Sequence, residues 1–279
     1  MWMLYKKLLP SKKTNENRDR LVMKIEKILS NEWPDHEIEV YLFGSSVNLL
    51  GTSTSNVDLC ITMPSRELEN ISALSVKLQK YNMKITECVT NAKVPIVKFL
   101  DPTLNLACDI NVNNTQALLN TMLIKSYVNL DPRARPLVIT IKHWARIRKL
   151  NNAACGTLSS YTWTCMVLNF LQMRNPPILP VLKVNRKNED IELLKLGRCL
   201  NKYEKNWIRW KLCIEEPFNI ERNLGNGVSY DGFKKIRKEF RRAVRILYKA
   251  DLKVYEIYEC ENDDDGSLVI TSEALSKAK

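Results

Sequence analysis

The chain has 279 residues, with 43 Lys and Arg against 31 Asp and Glu, a formal net charge of +12, eight Cys and two His. Apolar residues at 45% support a sizeable core and exclude disordered and fibrous classes, and no apolar run reaches the length of a membrane span. With only His36 and His143 available, a His-rich metal centre is excluded and any catalysis is expected to run on carboxylates, while the basic excess points towards a polyanionic partner.

Met1–Lys13 carries Lys6, Lys7, Lys12 and Lys13 without a long apolar stretch, so it does not read as a secretory signal. The cysteines are scattered with no Cys-x-x-Cys pair, which fits reduced thiols in the cytoplasm or nucleus better than disulfides or zinc.

In chain order, Leu21, Val22, Ile25, Ile28 and Leu29 recur at helical spacing and predict a helix over Glu16–Leu29, ended by Pro34. Short β-branched and aromatic runs then predict strands at Glu37–Phe43, Val57–Met63, Val94–Phe99 and Leu106–Val112, with a helix over Ser65–Tyr81 between the second and third. Together these make an α+β module over about 36–122. The rest is helical: Asp131–Lys149 with Pro132 in its first turn, Leu158–Met173 ended by Asn175-Pro176-Pro177, and Tyr230–Ala250 with Phe233, Ile236, Phe240, Val244 and Leu247 on its apolar face. The polar stretch 183–206 has a weak helical pattern at 190–200, and the acidic tail from Glu259 is expected to be disordered.

The strongest local signal is Phe43-Gly44-Ser45-Ser46 followed by Ser55-Asn56-Val57-Asp58-Leu59-Cys60-Ile61. A strand ends at Phe43, Gly44 allows close approach of backbone to an anion, and Ser45 offers a hydroxyl and an N–H to a phosphate oxygen. Residues 56 and 58 share one strand face. A further carboxylate, Asp109, lies in another short strand; paired beside 57–62, it would converge with Asp58 into the divalent-cation site that phosphoryl transfer from a nucleotide needs.

These blocks resemble the noncanonical poly(A)/poly(U) polymerases, RNA terminal nucleotidyltransferases of the DNA polymerase β-like superfamily. The resemblance runs from about residue 18 to 250. It is most specific in Phe43–Met63, Lys93-Val94-Pro95-Ile96-Val97-Lys98, Asp109–Thr121, Lys142-His143-Trp144-Ala145, Gly156-Thr157-Leu158-Ser159-Ser160-Tyr161 and Ile214-Glu215-Glu216-Pro217-Phe218. It implies a polymerase β-like nucleotidyltransferase domain at 36–122, and a helical central domain from 1–35 plus 123–279 with a nucleotide recognition loop at 214–228. The active site would lie in the cleft between them. The activity implied is template-independent addition of UMP or AMP, from UTP or ATP, to RNA 3′ ends with two Mg²⁺ (or Mn²⁺) ions.

Matched residue by residue, Asn56, Asp58 and Asp109 stand at the metal-binding catalytic positions. Gly44, Ser45, Asn120, Thr121, Lys142, Arg146, Ser160, Tyr161, Glu216, Asn219 and Arg222 stand at nucleotide-binding ones. The family pattern has Asp where Asn56 stands; a neutral amide is a weaker metal ligand, so binding and turnover are expected to fall. The departure leaves open a variant inactivated to trap substrates and a relative that binds RNA without turnover; the intact remainder of the site favours the first. In the uridylyltransferase branch a His sits where Arg222 stands and an acidic residue where Asn219 stands. Guanidinium donors match uracil carbonyls, so UTP is favoured over ATP. Bland readings stand beside these: Trp144 as core, Tyr161 as core, and Lys142 with Arg146 as a solvated basic face. With no RNA-recognition module in the sequence, target choice is assigned to a protein partner or to 3′-end accessibility; no membrane partner is expected.

Overall fold

The structure, a computed structural model, describes residues 1–63, 70–92, 94–184, 191–194, 211–217, 219, 221–248 and 254–258. The chain divides into two compact units: Tyr5–Arg135 with Leu182–Glu192, and Met1–Leu4 with Pro136–Val181 and Leu193–Lys279.

The first unit is built on a sheet. After α1 (Trp2–Leu8) and α2 (Lys12–Glu32) come β1 (Glu39–Phe43), a short 3₁₀ turn (Gly44–Ser46), β2 (Val57–Thr62), α3 (Ile71–Lys80), β3 (Lys84–Val89), β4 (Ile96–Asp101), β5 (Leu106–Val112) and α4 (Thr115–Leu130). The strand order is β1-β2-β5-β4-β3, with β2 and β5 parallel and the other neighbours antiparallel. Val57, Leu59 and Ile61 of β2 and Cys108 and Ile110 of β5 form one core with Leu21, Ile25, Ile28 and Leu29 of α2 and Ile71, Leu74 and Leu78 of α3. Strand alternation therefore turns Asp58 and Asp109 to the opposite face.

The apolar stripe of α2 is buried against the sheet, so residues 5–35 and the whole of α4 group with the sheet, where 1–35 and the chain after 122 were expected with the helices; Met1–Leu4 do group with the helices. The helix expected over Ser65–Tyr81 starts at Ile71, where the Asn70 side chain accepts from the N–H groups of Ser72 and Ala73; residues 64–69 lie outside the described residues.

The second unit contains most of α5 (Ala134–Ile147), α6 (Ser160–Gln172) and α7 (Tyr230–Leu247). Its core gathers Trp144, Leu158, Trp163, Ile236 and Ile246. Trp144 is 4% exposed and meets Trp163 edge-on, as its core reading requires. Strands β6 (Val181–Val184) and β7 (Ile191–Leu194) form a two-stranded sheet, so the weak helical pattern at 190–200 is overturned where the structure describes it. The apolar face expected for α7 is also corrected: the helix buries Gly232, Ile236, Glu239 and Ile246, leaving Val244 48% and Leu247 52% exposed. Glu239 goes inward because Arg148 and Arg242 meet it there. The tail from Glu259 lies outside the described residues. No helix among the described residues is long and apolar enough to cross a membrane.

Candidate active site

In the parallel β2/β5 pair, Asp58 stands directly opposite Asp109. Asn56, two residues before Asp58, donates from Nδ2 to Asp109 Oδ1 at 3.4 Å. On the other side of β2, Phe43 is the register partner of Asp58, so the chain turns at Gly44 beside that carboxylate. Gly44 has φ +64°, and a Cβ there would sit 2.3 Å from Asp58 Oδ2; both facts demand glycine. The Gly44 N–H donates to Thr121 Oγ1 at 2.9 Å, and the Thr121 hydroxyl donates to the carbonyl of Ala117 at 2.8 Å, which ties the turn to α4. Ser45 is half-buried in the same turn. Arg18 of α2, 3% exposed, donates to the carbonyls of Thr52 at 2.7 Å and Ser55 at 3.3 Å and so fixes the loop leading into Asn56.

Burial raises the Asp109 carboxyl above the usual range, opposed by the charge of Lys98 and the Asn56 hydrogen bond and reinforced by Glu87. Lys98 is also the β4 register partner of Asp109 and ion-pairs with Glu87 at 2.5 Å. Behind them, burial first and then Asp109 and Asp58 hold the Cys108 thiol protonated, which leaves it unreactive. Among the described residues no group of three or more His, Cys, Asp or Glu side chains converges on a metal position. Two facing carboxylates beside a neutral amide are oxygen donors of the kind a hard ion such as Mg²⁺ takes.

The helical unit holds the remaining candidate residues. At the start of α6, Ser159 caps the helix and Ser160 exchanges hydrogen bonds with Asn151. Tyr161, half-buried, donates its hydroxyl to Glu216 Oε1 at 2.7 Å, and Glu216 Oε2 accepts the Asn219 N–H at 2.6 Å. Burial first, then Cys165 and Glu216, raise the Tyr161 phenol so that it stays protonated. The loop closes through a bridge between Glu215 and Asn223 and through the Arg222 N–H to the Asn219 carbonyl at 2.8 Å, leaving the Asn219 and Arg222 side chains exposed. The Gly156 carbonyl lies so close to Gly232 that a Cβ on Gly232 would fall 1.9 Å from it, which seats the start of α7 against the loop before α6. On α5, half-buried Lys142 and exposed Arg146 lie one turn apart on one face.

Comparison with known proteins places this geometry. Residues 1–129 match the central palm domain of mitochondrial-like poly(A) RNA polymerase. Terminal uridylyltransferase cid1 of Schizosaccharomyces pombe is 31% identical over 76% of this chain and 69% of its own. The chain belongs to the RNA terminal nucleotidyltransferases of the poly(A)/poly(U) polymerase family. Poly(A) RNA polymerase cid11 of the same organism is 37% identical over 88% of this chain, and cid13 is 36% identical over 95%. The chain spans only 61% and 54% of the length of those two relatives. A solved structure of the Cid1 poly(U) polymerase with Mg 3′-dATP bound superposes with a TM-score of 0.78 at 28% identity, covering 92% of this chain and 96% of the other.

Within this family member the sheet unit brings together Gly44, Ser45, Asn56, Asp58, Asp109 and Thr121, and α4 also carries Asn120, half-buried, whose Oδ1 accepts from Gln116 at 3.4 Å. The helical unit brings together Ser160, Tyr161, Glu216, Asn219 and Arg222 through α6 and the 214–228 loop. Thr121 and Glu216 are also tied into the protein. At 4% and 1% exposed, they bond protein groups and brace the Gly44 turn and the 216–219 loop. Sequence reasoning missed Arg18, which reads as one more cation on the polar side of α2. It also missed Asn223, whose Oδ1 accepts the N–H groups of Ile214 and Gly225, each at 2.9 Å, to rigidify the 214–228 loop.

Proposed function

We propose that the chain transfers a nucleoside monophosphate from UTP or ATP to the 3′ hydroxyl of an RNA, without a template, and that Asn56 slows this transfer. The observation that carries the reading is the Asp58–Asp109 pair set in register beside the Gly44 turn, in a chain of this family. Asp58 and Asp109 would hold Mg²⁺, with Asn56 as a neutral third ligand. Bound there, the ion neutralises the phosphates and lowers the pKa of the attacking hydroxyl.

The chain's own residues do the rest. The Gly44–Ser46 turn presents Ser45 to phosphate oxygens, and Lys142 and Arg146 hold the triphosphate by charge. The Asn120 amide donates to and accepts from a ribose 2′ hydroxyl, which selects ribonucleotides. Tyr161, its hydroxyl fixed by Glu216, offers the edge and face of its ring to the base, beside Asn219 and Arg222.

For the base we favour UTP, because the Arg222 guanidinium offers only donors and uracil presents carbonyl acceptors, whereas adenine presents an amino donor. The names of the relatives divide on this point: cid11 and cid13 are called poly(A) polymerases and cid1 a uridylyltransferase. The test is extension of an oligo-RNA in Mg²⁺ with UTP or ATP alone, for the chain and for Arg222→His. Preference for UTP that rises further in Arg222→His supports the reading; a ratio untouched by the substitution removes Arg222 from base selection.

Non-catalytic RNA or nucleotide binding is the second reading, favoured by Asn56 alone; it predicts nucleotide binding with no extension under any condition.

A further inference from the structure

Helix α7 carries far more charge than its packing uses. Arg242 turns inward and, with Arg148 just past the end of α5, neutralises Glu239 at 3.0 and 2.8 Å. About 100° per residue places Lys234, Arg237, Lys238, Arg241 and Arg245 on the opposite face, and all are exposed. Among the described residues no ion pair engages Arg237, Lys238, Arg241 or Arg245, and Glu239, the acid that could have answered them along the helix, is buried.

Cations four residues apart (Lys234 with Lys238, Arg237 with Arg241, Arg241 with Arg245) repel one another by about 0.2–0.5 kcal/mol per pair, a cost that an exposed helix sheds by placing an acid in the row. This one keeps the row single-signed over about 16 Å of helix. Apolar surface runs beside it: Phe240 is 41% exposed and Val244 48%, and with Arg241 and Arg245 they line a groove of about 610 Å³. Tyr248, 87% exposed, stands at the C-terminal end of the same face.

We propose that this face of α7 binds the single-stranded body of an RNA. The Arg and Lys row takes the phosphodiester backbone, and the Phe240–Val244 groove and the Tyr248 ring take bases. Charge alone would suit an acidic peptide equally; the adjoining open aromatic and apolar surface favours a polyanion that carries flat, stackable groups. The inference rests on the RNA-directed reading above for the identity of the polyanion.

The test is fluorescence anisotropy with a labelled single-stranded oligo(U) RNA, without nucleotide or divalent ions, across a KCl series. The full chain is compared with the triple variant Arg237→Gln, Arg241→Gln, Arg245→Gln and with the corresponding Lys triple. Loss of three phosphate contacts lowers the slope of log affinity against log salt by about 2, and weakens binding at 100 mM KCl by about tenfold or more. The Lys triple retains the slope, and both triples melt where the parent does. Unchanged affinity and slope in the Gln triple overturn the proposal. So does a Gln triple that loses binding to a poly-glutamate chain but keeps binding to RNA, which would assign the face to an acidic protein. No transfer is needed for this readout. A chain that never extends RNA but shows the slope loss refutes the catalytic reading alone, and one that extends RNA with an unchanged slope refutes this inference alone.

Discussion

Asn56→Asp adds a carboxylate where the Asn56 amide now lies 3.4 Å from Asp109 Oδ1. Two unit charges at that separation repel by about 5 kcal/mol at an effective dielectric of 20 and about 1 kcal/mol in bulk water. Asn56 is exposed and Asp109 half-buried, so the cost lies near the lower figure; with the lost hydrogen bond it comes to about 2 kcal/mol. Without divalent ions the variant should therefore melt about 4–8 °C below the parent. Mg²⁺ reverses the sign, because the same third charge that repels Asp109 attracts the ion. Binding at a hundredfold excess over Kd returns about 2.7 kcal/mol. Thermal melts in EDTA and in MgCl₂, for the chain and the variant, read this directly, with Asp58→Asn as a control that lacks a ligand. A Mg²⁺-induced rise in Tm that is equal in the chain and in Asn56→Asp would refute the assignment of residue 56 as a metal ligand.

Gly44→Ala forces a Cβ against Asp58 Oδ2 at φ +64°; it should cost about 1–2 kcal/mol, and in the Asn56→Asp background it should abolish the Mg²⁺-dependent rise in Tm. Burial raises the Glu239 carboxyl, but the hydrogen bonds and charges of Arg148 and Arg242 outweigh it and hold the group below its ordinary range. Glu239→Gln should destabilise the protein by about 3–5 kcal/mol in urea unfolding, and a loss under 1 kcal/mol would show that the two guanidinium groups do not depend on it. Burial and then Arg146 depress His143 to about 4 in the folded chain, so as pH falls from 6.5 the unfolded chain takes up the proton first. Stability is present above pH 6.5 and declines towards pH 4, by up to about 3 kcal/mol; His143→Phe should flatten that decline, and an unchanged pH profile would contradict it.

Most of the sheet unit was legible because its signals are local. Alternation marked β1, β2, β4 and β5, and the same alternation put Asp58 and Asp109 on one face once the strands paired. β3 was missed: as an edge strand with Lys84, Glu87 and Cys88 exposed, it has little apolar period to read. α4 was missed as an element because its apolar residues run almost all round it, which blurs a helical stripe. On α7 the period was right and the phase was wrong, since a buried Glu239 held by two arginines cannot be foreseen from hydropathy. The site residues that act through others, Arg18 and Asn223, are long-range or loop-internal partners whose role exists only after folding.

The most direct test of the central claim is extension of a short oligo-RNA in Mg²⁺ with each nucleoside triphosphate alone, on the chain and on Asn56→Asp side by side. Weak or no extension is expected of the chain, and in the variant a rise of at least about a hundredfold, equivalent to about 3 kcal/mol of transition-state stabilisation. Equal rates in the two proteins, or no extension by the variant with any triphosphate, would contradict it.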